Sequence, residues 1–159
     1  MFAEPEAYTF RHLDIRRARQ EDAEAVAEIT DSAYGSYLPL LGRKPQPMTA
    51  DHRRMIGEND VWLLFNENYP VGVLVLVDEP DSLLIYSVAI RPELQGRGLG
   101  RRLLGWAEQQ ARRVGRPRIR PTPRWSGGSH RAILSAQWTC CAAQPAAARQ
   151  RQLTEAACC

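Results

Sequence analysis

Cysteine is absent from the first 139 residues. All four cysteines fall in the last twenty, as the adjacent pairs Cys140-Cys141 and Cys158-Cys159. Adjacent pairs do not suit a tetrahedral zinc site, whose ligands are spaced by two to four residues, and only three histidines accompany them, so no metal site is expected. Long apolar runs are missing as well. The longest, Val71 to Val77, is far too short to cross a bilayer, and the acidic N-terminus Met1-Phe2-Ala3-Glu4-Pro5-Glu6 has no apolar leader core. These absences point to a cytoplasmic chain with no membrane partner. Its 159 residues suffice for one domain that buries a core without disulfides or metal.

Charge is scarce in sum but unevenly placed. The net charge is +3, yet residues 1–94 carry 9 basic and 16 acidic side chains, a net −7, and residues 95–159 carry 12 and 2, a net +10. A cationic half suggests a polyanionic partner. Aromatic residues are not interleaved with Arg112, Arg113, Arg116, Arg118 and Arg120, which weighs against a nucleic-acid surface and leaves a small phosphorylated ligand.

Leu13 and Ile15 alternate with polar neighbours up to Ala18, which predicts a first strand. Asp22 is a candidate N-cap for a helix carrying Val26, Ile29, Ala33 and Tyr37 at helical spacing, with Pro39 ending it. Gly42 to Met48 holds two prolines and is expected to be loop, and Thr49 is expected to cap a second short helix through Ile56. Val61–Phe65, Val71–Val77 and Leu83–Ile90 are β-rich runs separated by turn-forming residues, the pattern of an antiparallel meander. A helix with an apolar stripe of Leu99, Leu103, Trp106 or Ala107, Ala111 and Val114 should follow and stop at Gly115. Residues 116–120 should then form a strand parallel to the 83–90 run, reached by a right-handed crossover. Trp62 and Trp106 are assigned to the core, and His52 and His130 to the surface.

Between the third β-run and that helix lies Gln95-Gly96-Arg97-Gly98-Leu99-Gly100. Glycines there let successive backbone N–H groups turn toward one point, and the helix start adds its unpaired N–H groups and positive dipole end. Arg97, Arg101 and Arg102 supply cations, so a pyrophosphate would fit; the same glycines also suit a plain tight connection. A dinucleotide fingerprint would need a glycine where Arg101 stands, and a Walker A loop would need Gly-Lys-Ser/Thr.

With its flanks, Ser87-Val88-Ala89-Ile90-Arg91-Pro92-Glu93-Leu94-Gln95-Gly96-Arg97-Gly98-Leu99-Gly100 resembles the acetyl-CoA motif of the GNAT N-acetyltransferases, and the order of elements extends the resemblance from about Leu13 to Ile119. The resemblance implies an α/β fold: a mixed, mostly antiparallel central sheet flanked by helices. It also implies that the 83–90 strand diverges from its parallel neighbour to open a cofactor cleft. Main-chain groups at Val88 and Ile90 would pair with the pantetheine arm of acetyl-CoA, and the stretch Gln95, Gly96, Arg97, Gly98, Leu99, Gly100 and Arg101 would hold its pyrophosphate, chiefly through N–H groups at Arg97, Gly98, Gly100 and Arg101. The implied reaction is direct attack of an acceptor's primary amine on the thioester. Tyr34, Tyr37, Leu38, Met48 and His52, on the first helices and their loop, would face the acceptor, and homodimers are common among the proteins resembled.

The strand position at which many members carry a glutamate base corresponds here to Tyr86, the weak catalytic candidate, or to its neighbours Ile85 and Ser87, and no carboxylate lies on that strand. The tyrosine and asparagine that relatives carry after the next strand have no counterpart, since no Tyr follows Tyr86 and no Asn follows Asn68. Residues 121–159 have no lysine or aspartate and no strand-like alternation. The expectation is therefore a GNAT-like unit over 1–120 and an atypical ending over 121–159, by frameshift or divergence, with the C-terminal strands missing or replaced. Two functions follow: an N-acetyltransferase, or a catalytically silent CoA-binding or interaction protein of the same fold.

Overall fold

The computed structural model describes residue 10, residues 12–35 and residues 38–121. Five strands form one sheet in the order β1 (Leu13–Arg17), β2 (Asp60–Asn66), β3 (Tyr69–Asp78), β4 (Leu83–Ile90), β5 (Ile119–Pro121). The first four pair antiparallel. The Leu83 N–H donates to the Arg118 carbonyl at 2.8 Å, so the starts of β4 and β5 meet, as in a parallel pair joined by a helical crossover. The predicted strand over 116–120 is shorter and lies later: Arg116 belongs to the connection before it, where its guanidinium grips Asp78 at 2.5 and 2.9 Å and the Pro80 carbonyl at 2.9 Å.

The sheet is covered on both faces. Helix α1 (Ala23–Gly35) and helix α4 (His52–Glu58) cover one face, where Val26, Ile29, Ala33 and Ile56 meet Val61, Leu63, Val73, Val75 and Ala89. Helix α5 (Leu99–Arg113) covers the other, against β3 and β4. Strand alternation sends Leu74, Leu76 and Ile85 to that side, where Leu99, Leu103, Ala107 and Ala111 close over them. Trp62 and Trp106 meet edge to face at 5.2 Å on the α5 side, both half-buried rather than within the closed core.

Local expectations fail where a better-placed group takes over. Asp22 is not the N-cap of α1. It ends a 3-10 turn (Gln20–Asp22), where its carboxylate reaches back to the Arg19 N–H at 2.7 Å and pairs with both Arg16 guanidinium nitrogens at 2.8 and 2.9 Å. Helix α1 is described as far as Gly35, residues 36 and 37 lie outside the described residues, and Pro39, expected to end the helix, lies in a short helix α2 (Leu38–Leu41). The predicted loop over 42–48 contains the start of α3 (Gln46–Thr49), since Pro47 sits in a first turn where no N–H is needed. Asp51, not Thr49, caps α4, accepting the Arg54 N–H at 3.1 Å. The expectations for 122–159, including missing C-terminal strands and His130, lie outside the described residues, as does Tyr37.

Candidate functional site

The backbone of β4 follows from its pairing. Arg91 N–H donates to the Val71 carbonyl at 3.0 Å, and antiparallel pairs alternate between those that exchange hydrogen bonds and those that do not. Counting back in register, Ala89 with Val73 and Ser87 with Val75 exchange bonds, while Ile90 opposite Gly72 and Val88 opposite Leu74 turn their N–H and C=O groups away from β3. Two side-chain contacts agree. The Ile90 carbonyl accepts from the Gln95 amide at 3.0 Å, and the Val88 carbonyl accepts from the Tyr34 hydroxyl at 3.3 Å. The N–H groups of Val88 and Ile90 therefore face the outer side of β4, beyond the point where β5 pairs with its start.

A bulge sets this arrangement. Val75 lies opposite Ser87 but Leu76 lies opposite Ile85, so Tyr86 is an extra residue in β4. Below it, Leu83 faces β5 with its N–H; above it, the outward parity has moved to Val88 and Ile90. The bulge also brings two consecutive side chains to the α1 face: Ser87, opposite Val75, and Tyr86, packed on the same core cluster. Burial pushes the Tyr86 hydroxyl above its ordinary value of 10.0, so at neutral pH it is a neutral phenol, able to donate a proton and unsuited to act as a base.

Tyr34 reaches this point from α1. It is 8% exposed, and its hydroxyl lies 3.2 Å from the Ser87 hydroxyl as well as on the Val88 carbonyl. It joins α1 to β4 at the bulge. Met48 is half-buried against the same cluster, and Leu38 is half-buried on α2. His52 was expected at the surface but is half-buried. Its Nδ1 is buried without a hydrogen-bond partner, and burial holds its pKa below 6.5 against the pull of Asp31 and Asp51.

Beyond β4, a 3-10 turn (Pro92–Leu94) is pinned by Leu94, which is fully buried, and leads to Gly96 and Gly98 at φ 76° and 82°. Those left-handed values favour glycine. Gly98 caps α5 without a side chain, and the Arg102 N–H takes its carbonyl at 3.1 Å, which leaves the N–H groups of Gly98, Leu99, Gly100 and Arg101 outside the helical ladder. Gly100 is helical, and a Cβ there would meet nothing within 4 Å, so neither backbone nor packing demands glycine. Arg97 and Arg101 are exposed beside this turn. Arg102 is drawn off toward β1, where its guanidinium meets the Leu13 carbonyl at 3.3 Å.

Sequence alone assigns no role to Arg91 or Glu28, and offers Ser87 only as a neighbour of Tyr86, not as the partner of Tyr34. The only local sign was an arginine inside the motif; their partners lie 53 to 63 residues away, beyond any periodicity.

The model of the acetyltransferase (GNAT) family matches residues 16–120. Among solved structures, the chain is similar to the PaiA N-acetyltransferase of Thermoplasma acidophilum in complex with coenzyme A, at TM-score 0.66 and 14% identity over 79% of this chain and 87% of that one. It is also similar to the ribosomal-protein-alanine N-acetyltransferase of Brucella melitensis biovar Abortus 2308 (TM-score 0.62, 13% identity, 79% and 90% covered). A third is the IAA acetyltransferase of Bacillus cereus ATCC 14579 (TM-score 0.58, 20% identity, 79% and 75% covered). At these identities the likeness speaks to the fold.

Proposed function

The chain belongs to the GNAT acetyltransferase family, and on that premise we propose that it moves an acetyl group from acetyl-CoA to a primary amine in a ternary complex. The observation that carries the reading is the juxtaposition of two sets of outward N–H groups. Those of Val88 and Ile90 suit an extended amide chain laid along β4, and those of Gly98 to Arg101 suit a diphosphate at the end of that line. Gly100 fits the same reading, because the space above it stays open for a phosphate oxygen.

In this reading the thioester lies beside the bulge, with the Val88 N–H on the carbonyl oxygen where negative charge develops during attack. Holding amine and thioester together supplies much of the rate. The amine must arrive neutral, and β4 offers no carboxylate to deprotonate it. Tyr86, as a neutral phenol, fits the part of a proton donor and not of a base, and Tyr34 holds the Val88 carbonyl in place as a wall of the acceptor side, with Met48 beside it.

The experiment is thermal unfolding with and without acetyl-CoA. A ligand at 100 times its dissociation constant should add about 2.7 kcal/mol to the stability of a competent site. A cooperative transition that does not move would end the cofactor reading. A second reading, a CoA-binding protein without catalysis, is favoured by the lack of a carboxylate on β4; it predicts the same thermal shift and no release of free CoA with any amine offered.

A further inference from the structure

Arg91 is the one buried charged residue among those described, at 6% exposure, and it stands at the junction of β4 and the glycine turn. Two of its guanidinium nitrogens and one face of the group meet protein. Nε donates to the Pro70 carbonyl at 2.9 Å, Nη1 donates to Glu28 of α1 at 2.9 Å, and the group lies 4.6 Å over the Tyr69 ring. Its main chain is engaged too, with the N–H on the Val71 carbonyl at 3.0 Å and the carbonyl accepting the Leu94 N–H at 2.9 Å.

A buried cation is costly unless partners replace its hydration, and here an arginine is held where lysine could not serve both a carbonyl and a ring face. Its side-chain contacts run to α1 and the start of β3, not toward the N–H groups of 98–101. We propose that Arg91 is a positioning residue that clamps the first residue of the phosphate turn and so fixes where those N–H groups point. The proposal rests on reading them as a diphosphate site. Without the clamp, the turn over 92–98 would sample more conformations, and the ligand would have to order it on binding. The loss should therefore appear in affinity, and only for ligands that reach the turn.

The test compares the full-length protein with Arg91→Lys by calorimetric titration with CoA and with pantetheine, which lacks every phosphate, alongside amide hydrogen exchange over 92–98 in the free proteins. The expected result is a loss of CoA affinity of about tenfold or more, pantetheine affinity unchanged, and faster exchange in the turn. Tyr69→Leu, at a half-exposed position, should give a smaller change of the same kind and carries the test if Arg91→Lys does not fold. Equal CoA affinity and equal exchange would overturn the proposal, as would a variant that loses pantetheine as much as CoA. If the unaltered protein binds no CoA, the cofactor reading fails, and hydrogen exchange alone then decides whether Arg91 holds the turn.

Discussion

At the scale of single residues, glycine is required for two different reasons. Gly96 and Gly98 are glycine because of φ, which the pattern Gly-x-Gly-x-Gly suggests by itself. Gly72 is glycine because of space: a Cβ there would sit 2.7 Å from Ile90 Cδ1, 3.2 Å from Leu103 Cδ1 and 3.3 Å from the Ala89 carbonyl. Nothing near Gly72 in sequence announces this, since the crowding comes from β4 and α5. Gly72→Ala should cost about 1–3 kcal/mol in urea unfolding, because fully buried Leu103 and a strand carbonyl leave Ile90 little room to retreat. A variant as stable as the original would show that the Ile90 side chain swings clear. Tyr34 was legible as an aromatic at helical spacing, but its bond to Ser87 was not, because hydroxyl pairing across 53 positions depends on which helix face meets which strand.

Among the elements, the three central strands and α5 could be read directly, since β-rich apolar runs bounded by turn residues and a 3.6-residue stripe are strong signals over 7 to 15 residues. The short pieces around α1 could not, because caps compete locally and the winner is set by tertiary partners. Asp22 illustrates this. The Arg16 hydrogen bonds, aided by the Arg19 N–H, hold its carboxyl below the ordinary 3.8. A lowered folded value means that its contribution to stability is complete above the unfolded value and disappears as pH falls through the folded one. The stability advantage of the original protein over Asp22→Asn should therefore be level near neutrality and shrink from about pH 5 downward in acid titrations of unfolding. Parallel curves would mean that the ion pair leaves β1 and the turn before α1 unaffected. The bulge at Tyr86 belongs to the same scale: an extra residue exists only relative to a partner strand, so no reading of 83–90 alone could place it.

Across the whole molecule, the charge asymmetry seen in the sequence becomes a set of contacts. The acidic β3–β4 turn is held by Arg116 on Asp78 and by Arg120 on Glu79, while Arg97 and Arg101 flank the glycine turn. If those two arginines draw the ligand, CoA affinity should fall several-fold as ionic strength rises from about 0.05 to 0.5 M, where screening becomes effective over a few ångströms. Affinity indifferent to salt would leave binding to the backbone N–H groups. Among the described residues, no helix is long and apolar enough to cross a membrane. What the sequence determined by itself was local and periodic: the meander, the amphipathic α5, and a glycine turn suited to phosphate, each specified by residues within one element. Tertiary structure alone decided which β4 backbone groups face outward, that Tyr34 seals the bulge, and that Arg91 braces the turn. Those outcomes depend on strand register and on burial between distant segments, which arise only when the sheet and its helices pack.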